Sequence, residues 1–283
     1  MSKKNISVII SDVDDILIDF SESHASATEK ALKSIASLKN IDKKDLERLL
    51  LRNSKWKGYN KNIAEIISDP IDEVKPDDFK QENEYAKVLQ DWRKDLSHAK
   101  VIEGVIITAR KIKASGSLFI LYSDYPESLL LLRLQNVGFP VELVDGVYAK
   151  PNQRKTETPS PAIKIKGVVS EFKEKLELNG SKLMAIDFEN SKEDVKFILK
   201  DIGCAKANFD KALLVADANK FDFAPIKELG VNTAGVNEAK DTKKAPEISL
   251  TKGFVDINNH FVFNEFKRSE INLARVMQGI KQR

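Results

Sequence analysis

Apolar runs that end in acidic or hydroxyl side chains recur along the chain, and each run predicts a buried β-strand. The first covers residues 6–10 and is followed by Asp12 and Asp14. Because side chains two apart on a strand share a face, both carboxylates are expected to project together where the strand ends. Ligands of open α/β sheets bind outside the carboxyl ends of the strands, so this Asp-x-Asp suggests a divalent cation with a phosphate. A solvated acidic turn is the alternative for this motif taken alone.

Two later apolar runs also lead to polar residues. Residues 117–122 predict a strand before Ser123, whose hydroxyl can hold a phosphoryl oxygen, although a serine there is also typical of a turn or a helix cap. Residues 212–216 predict a strand before Asp217, and Asp222 follows five residues later. An acid, a hydroxyl and a second acid therefore each follow a predicted strand.

A lysine stands before the last of these strands. Lys192 opens a segment whose apolar residues, from Val195 to Ile202, repeat at three- and four-residue steps, which predicts an amphipathic helix. Its ammonium would then lie at the edge of the sheet. A solvated lysine is the ordinary interpretation, and its position 25 residues before Asp217 is what makes it a candidate for the site.

Together these motifs resemble those of the haloacid-dehalogenase superfamily. Its members carry an Asp-x-Asp after the first strand, a Ser or Thr after the second, a Lys at a helix start, and a spaced pair of acids. The matching segments here are, in order, residues 12–17, 122–126, Lys192 and 217–222, with residues 101–105 and 230–233 resembling the connecting stretches. The resemblance covers residues 1–20 and about 100–237.

The first motif departs from the family pattern at its fifth position. The family usually has Thr or Val there, and this chain has Ile16. Isoleucine is apolar and β-branched like valine, so we expect it to be tolerated. Whether it weakens activity is left open by the sequence.

The third motif has two candidates. We prefer Lys192, because residues 192–203 reproduce the length of the family's helix before the last catalytic strand, which leaves residues 150–181 as an insertion without an assigned role. Lys150 is the alternative, because it is followed by proline as in the family's frequent Lys-Pro pair. A rival fourth motif, Asp187 with Asp194, would accompany Lys150 but leaves the strand before Asp217 unexplained.

The resemblance implies an α/β fold with a three-layer Rossmann-like core, a mostly parallel sheet and a helical cap. We expect the core to comprise residues 1–20 and 100–283, and the cap residues 21–99. The cap segment has helical periodicity and no convincing strand. In the family such an insertion is mobile, closes over the active site and selects the substrate.

The resemblance also implies residue roles in a phosphatase that acts on a small phosphorylated metabolite. Asp12 would attack phosphorus and form an aspartyl-phosphate, and Asp14 would protonate the leaving oxygen and later activate water. Ser123 and Lys192 would contact the other phosphoryl oxygens. A dehalogenase is disfavoured, since that chemistry in the family dispenses with the second Asp of the first motif.

The metal implied by the resemblance is Mg²⁺. Its ligands would be the side chains of Asp12 and Asp217, the backbone carbonyl of Asp14, and Asp222 through water. Two other functions stay open: a catalytically silent binding protein on the same fold, and a phosphotransferase such as a mutase. A response-regulator receiver also uses Asp, Ser or Thr, and Lys, but it is only about 120 residues long.

Composition and charge narrow the classes of protein to which the chain could belong. The chain has 46 basic and 43 acidic residues in 283, a net charge of only +3, which argues against nucleic acid as the main partner. The single Cys204 excludes an internal disulfide and is expected to be a small buried thiol. The first apolar run is too short for a signal peptide or a membrane span, so a cytoplasmic location is expected. Substrate identity and oligomeric state are not predicted.

Overall fold

The computed structural model describes residues 3–40, 42–45, 84, 87–88, 90–92, 94–95, 99–151, 173–186, 191–219, 221–236 and 245–267. Its strands are β1 Lys4–Ile6, β2 Val8–Asp12, β3 Ile18–Asp19, β4 Lys100–Val101, β5 Leu118–Pro126, β6 Gly146–Lys150, β7 Lys182–Ala185, β8 Ala212–Asp217, β9 Asn232–Val236, β10 Ile248–Leu250 and β11 Phe261–Phe263. Its α-helices are α1 Ser21–Lys39, α2 Val105–Ala114, α3 Glu127–Asn136, α4 Ser191–Asp201, α5 Ala224–Lys227 and α6 Ile257–His260.

A seven-stranded sheet forms the centre of the fold, in the order β10-β9-β8-β2-β5-β6-β7. Every neighbouring pair in it is parallel. Ile10 of β2 pairs with Ile120 of β5 on one side and with Leu214 of β8 on the other. These apolar runs suit a parallel sheet, because helices cover both of its faces. The predicted mostly parallel α/β architecture is confirmed.

Alternate residues of the central strand pack into different layers. Ile9 belongs to an apolar cluster that includes Val105 and Ala109 of α2 and three leucines of α3. Ile10 belongs to a second cluster with Val195 and Ile198 of α4. The period-two alternation of β2 thus divides the core into two layers of helix with the sheet between them.

Two short strands carry the chain out of and back into this core. β3 leads to α1, and β4 returns the chain before α2; the two pair antiparallel, with Ile18 opposite Val101. Among the described residues between them, Trp92 donates from Nε1 to Thr28 Oγ1 at 3.4 Å. The remaining apolar stripes predicted for residues 21–99 lie largely outside the described residues, and the division into core and cap stays a prediction.

Two expectations from composition can be compared with the structure. Cys204 is buried beside α4, as expected for a small packed thiol, and burial raises the pKa of its thiol group. Over the described ranges, none of the helices combines the length and the apolar character needed to cross a bilayer. The thiol therefore has a packing role, since burial and a raised pKa both disfavour the reactive thiolate.

Candidate active site

The first motif lies at the carboxyl end of the central strand. β2 ends at Asp12, which pairs with Tyr122 of β5, and the Asp12 Oδ1 atom accepts a hydrogen bond from the Val13 amide at 2.7 Å. The chain then turns, because the amides of Leu17 and Ile18 both donate to the Val13 carbonyl. Asp14 therefore lies in the turn after the strand, where it makes an isolated bridge to Ile18.

This turn needs an unusual backbone conformation. Asp15 has a φ of 62°, in the left-handed region that aspartate tolerates better than most residues. Its Oδ1 atom accepts a hydrogen bond from the Phe20 amide at 3.2 Å, so the turn is joined to the residue before α1. Ile16 is buried within the apolar cluster on the α2 side of the sheet, which explains why an apolar side chain is accommodated there.

Ser123 lies at the same edge of the sheet as Asp12, on the neighbouring strand β5. The sequence predicted a strand that stops at Tyr122, but β5 continues to Pro126, with an irregular register between Tyr122 and Pro126. Ser123 lies in this irregular part, fully buried and one residue beyond the level of Asp12. The irregularity explains the difference, since a strand bulge redirects a side chain without ending the strand.

The second acid pair lies on the other side of β2. β8 ends at Asp217, and because Ser11 pairs with Val215, Asp217 is one residue beyond the level of Asp12. Asp217 Oδ1 accepts from the Asn219 amide at 2.9 Å, and Asp222 Oδ1 accepts from the Ala224 amide at 3.1 Å. The backbone therefore orients both carboxylates at the start of the loop and of α5.

The carboxylate oxygens at this edge of the sheet are ligands of the type that Mg²⁺ binds. Mg²⁺ takes oxygen ligands, keeps several waters, and usually needs only one or two protein carboxylates. Asp12 and Asp217, at the ends of adjacent strands, supply two. No group of three or more His, Cys, Asp and Glu side chains that could hold a metal is assembled within the described ranges. Two carboxylates at adjacent strand ends match the number that Mg²⁺ usually takes from a protein.

The Asp14 carboxylate has a partner that the sequence reasoning missed. Arg133 of α3 donates from Nη1 to both Asp14 carboxylate oxygens, each at 2.9 Å. Its guanidinium carbon also lies 3.7 Å from the centre of the Phe20 ring. Arg133 is fully buried, with Leu130, Leu131 and Leu134 buried around it on the same helix. A charged residue inside this apolar stretch was the signal available in the sequence.

The two candidate lysines have different surroundings. Lys192 Nζ lies 2.6 Å from Glu228 Oε2, and the side chain of Glu228 is 67% exposed. Lys150 Nζ lies 3.3 Å from Asp194 Oδ2, and the side chain of Asp194 is 2% exposed. The same Asp194 oxygen accepts a 2.6 Å hydrogen bond from the Tyr122 hydroxyl. Lys150 is thus held by a buried network that reaches the strand residue opposite Asp12, and Lys192 by a surface pair.

The rival fourth motif can be followed only in part. Asp187 lies outside the described residues. Asp194, its proposed partner, is directed at Lys150 and Tyr122. Asp217 stands instead at the end of a strand that directly neighbours β2, so the preferred assignment of the fourth motif agrees with the sheet order.

Sequence comparison alone adds nothing here, since no protein-family model and no curated protein matches the chain. Solved structures do match its fold. A HAD phosphatase from Thermococcus onnurineus has a TM-score of 0.59 at 11% identity, over 92% of this chain and all of the other. The chain has the haloacid-dehalogenase-superfamily fold.

Two further structures of this superfamily extend the comparison. A Bacillus subtilis protein, described as a HAD-hydrolase bound to magnesium, has a TM-score of 0.51 at 12% identity over 90% of this chain and 97% of its own. A 2-haloacid dehalogenase from Pseudomonas syringae pv. Tomato DC3000 has a TM-score of 0.53 at 13% identity, with the same coverage. Since proteins of different chemistry share this fold, function has to be argued from the site residues.

Proposed function

We propose that this protein is a magnesium-dependent phosphatase that hydrolyses a small phosphomonoester in the cytoplasm through an aspartyl-phosphate on Asp12. The observation that carries the proposal is the position of Ser123, Asp12 and Asp217 at the carboxyl edge of the three adjacent strands β5, β2 and β8, in that order. Ligands bind at this edge in open α/β sheets. A phosphatase and a magnesium-bound hydrolase among the structural neighbours support the same chemistry.

In the first step a carboxylate oxygen of Asp12 attacks phosphorus, an oxygen–phosphorus bond forms, and the bond to the leaving oxygen breaks. The Val13 amide donates to Asp12 Oδ1 and so restrains the orientation of the carboxylate. Asp14 gives the proton that the leaving oxygen needs. In the second step Asp14 takes a proton from water, which attacks phosphorus and releases phosphate from Asp12.

Two anions meet in the first step, so the site has to offset their repulsion. Asp12, Asp217 and the Asp14 carbonyl would hold Mg²⁺, which would supply positive charge against the phosphoryl oxygens. The Ser123 hydroxyl, just beyond the level of Asp12, donates to a phosphoryl oxygen. These contacts are made to oxygens whose charge changes during phosphoryl transfer. Contacts of this kind stabilise the transition state and so accelerate the reaction most.

The buried network around Lys150 supports this residue, in place of Lys192, as the lysine that contacts the phosphoryl group. Tyr148 packs in the apolar cluster on the α4 side, as do Val8 and Ile10 of β2. By strand alternation, Lys150 and Asp12 then project to that same face of the sheet. Asp194 holds the Lys150 ammonium with little freedom, whereas the surface partner of Lys192 restrains it weakly.

The same proposal assigns residues 21–99 to substrate selection. Its support is the position of the two connections: β3 and β4 pair beside the first motif, and the Asp14 turn makes an isolated bridge to Ile18 of β3. A segment attached there can close over the carboxyl edge of β2, exclude water and contact the leaving group.

The direct test is phosphate release from a panel of phosphomonoesters with and without Mg²⁺, using wild type, Asp12→Asn and Asp210→Asn. We expect wild-type turnover only with Mg²⁺, with loss after chelation and recovery on re-addition. Asp12→Asn removes the nucleophile and should lower turnover by about 10⁴-fold or more. Asp210 is exposed and outside the site, so the same substitution there should leave turnover unchanged. Full turnover by folded Asp12→Asn protein would falsify the nucleophile assignment.

A further inference from the structure

Arg133 holds three features of the site together. Its guanidinium donates to both oxygens of Asp14 and lies against the ring of Phe20. Phe20 is the residue directly before α1, where the first connection passes into residues 21–99. Its amide is in turn bound by Asp15 in the first motif. One buried cation therefore joins the acid-base carboxylate to the start of the segment assigned to substrate selection.

Stability alone is a weak explanation for this arrangement. Burying an ion pair costs desolvation of both charges, and an apolar pair of the same volume is often at least as stable. Arg133 is fully buried and the Asp14 side chain is only 9% exposed, so the desolvation of both groups is nearly complete. What the pair does supply is geometry, because two hydrogen bonds fix the carboxylate and the aromatic contact fixes the guanidinium.

We propose that Arg133 is a positioning residue that sets the Asp14 carboxylate for proton transfer and links it to Phe20. The inference rests on the proposed phosphatase function. In this role Arg133 acts through Asp14 and makes no contact with phosphorus or the leaving oxygen. Substitution of Arg133 should therefore slow the hydrolysis of each substrate in proportion to the need for a proton on its leaving oxygen.

Two substrates separate this role from a general structural one. The alkoxide released from glycerol 2-phosphate needs a proton as it leaves, whereas the phenolate released from p-nitrophenyl phosphate does not. In Arg133→Met we expect kcat for glycerol 2-phosphate to fall by about 10²-fold or more, the usual contribution of general acid catalysis, with little change in KM. For p-nitrophenyl phosphate we expect less than a tenfold fall.

A double mutant shows whether Arg133 acts through Asp14. Asp14→Asn should reproduce the substrate pattern of Arg133→Met, and the combined variant should be no slower on glycerol 2-phosphate than Asp14→Asn alone. Arg110→Met is the matched control, since Arg110 is exposed on α2, and it should behave as wild type on both substrates. Thermal unfolding is measured for every variant.

A second substitution distinguishes an effect on folding from an effect on catalysis. If Arg133→Met does not fold, Arg133→Lys keeps the charge but not the planar group over Phe20, and the same selective loss is expected. Equal losses on both substrates, additive losses in the double mutant, or wild-type kcat in a folded Arg133 variant would each overturn the inference while leaving the phosphatase proposal standing. Wild-type protein that is inactive on every phosphomonoester overturns the phosphatase proposal and this inference with it.

Discussion

The two flanks of the central strand hold their charges in different ways. On the β5–β6 flank, Arg133 pairs with Asp14 and Lys150 with Asp194, and both acids are buried. On the β8–β9 flank, Asp217 accepts from a backbone amide, and the nearby lysine pairs with an exposed glutamate. Side chains thus organise the first flank, whereas the backbone and solvent organise the second.

This difference has an energetic meaning. An exposed ion pair contributes about 0–1 kcal/mol, because water screens it and both side chains lose freedom when they pair. Breaking a buried pair costs about 3–5 kcal/mol, because the remaining charge is left without compensation. Substitutions on the β5–β6 flank should therefore affect both fold and chemistry, and substitutions of the surface pair on the β8–β9 flank should have little effect on either.

The largest expected contrast is between the two lysines. Lys150→Ala should lower kcat/KM for phosphate release by about 10²-fold, the typical cost of losing one preorganised charge-stabilising group. Lys192→Ala should change it less than about threefold, because its ammonium is engaged at the surface by Glu228. Steady-state kinetics on the same phosphomonoester, at saturating Mg²⁺, measures both.

The reverse result would support Lys192 as the lysine of the third motif. A large loss in Lys192→Ala with a normal Lys150→Ala would also break the comparison of the flanks, since the surface pair would then carry the chemistry. Arginine at each position serves as a control, because it keeps the positive charge and tests whether the position of that charge matters.

The next contrast concerns stability. Asp194→Ala removes the acceptor of both Tyr122 and Lys150, and should lower the free energy of unfolding by about 2–4 kcal/mol. Glu228→Ala removes only the surface partner of Lys192 and should change it by less than about 0.5 kcal/mol. Urea denaturation at neutral pH measures both variants. Equal effects from the two substitutions would show that burial does not distinguish the flanks.

The smallest expected effect concerns a separate hydrogen bond, made by Tyr148 of β6. The Tyr148 hydroxyl donates to Asp201 at 2.6 Å, and burial, followed by the hydrogen bond to Asp201, raises the pKa of Tyr148. Tyr148→Phe should cost about 1 kcal/mol at pH 8, the usual net value of one hydrogen bond. A raised pKa adds stability that is present below the unfolded value of about 10 and is lost as the pH rises above it.

The pH dependence provides the check on this last prediction. The stability difference between wild type and Tyr148→Phe should shrink between about pH 10 and 11, because the tyrosine in the unfolded chain ionises there. Tyrosines other than Tyr148 are present in both proteins, so their ionisation cancels in the difference. A difference that is constant across this range would show that Tyr148 is not protonated more strongly in the folded state.

Much of the site could be read from apolar periodicity. Asp12 and Asp217 each follow a short apolar run, and parallel strands place such residues at one edge, so their neighbourhood was predictable. Strand periodicity did not show that β2 ends at Asp12 and that Asp14 lies in the following turn, where Asp15 has a positive φ. Ser123 was assigned to the right edge, but the irregular register of β5 could not be inferred from residue types.

Arg133 was missed, and Asp194 was named only as part of the rival fourth motif, for a related reason. Both are charged residues on helix faces that otherwise pack into the core, and amphipathic patterns are normally scored on their apolar positions alone. Their partners are at least 44 residues away in the chain, so no local sequence pattern indicates the pairs. A charge that interrupts an apolar helix face is the signal that such networks leave in a sequence.

The placement of β2 between β5 and β8 has a consequence for protein synthesis. β5 is translated about one hundred residues after β2, and β8 about one hundred residues after that. At roughly 5–20 residues per second, β2 waits about 10–40 s on the ribosome with an open strand edge. Open apolar edges pair readily with other chains. The nascent chain is therefore at greatest risk of aggregation in this interval, and the edge that carries Asp12, Ser123 and Asp217 is completed only late in translation.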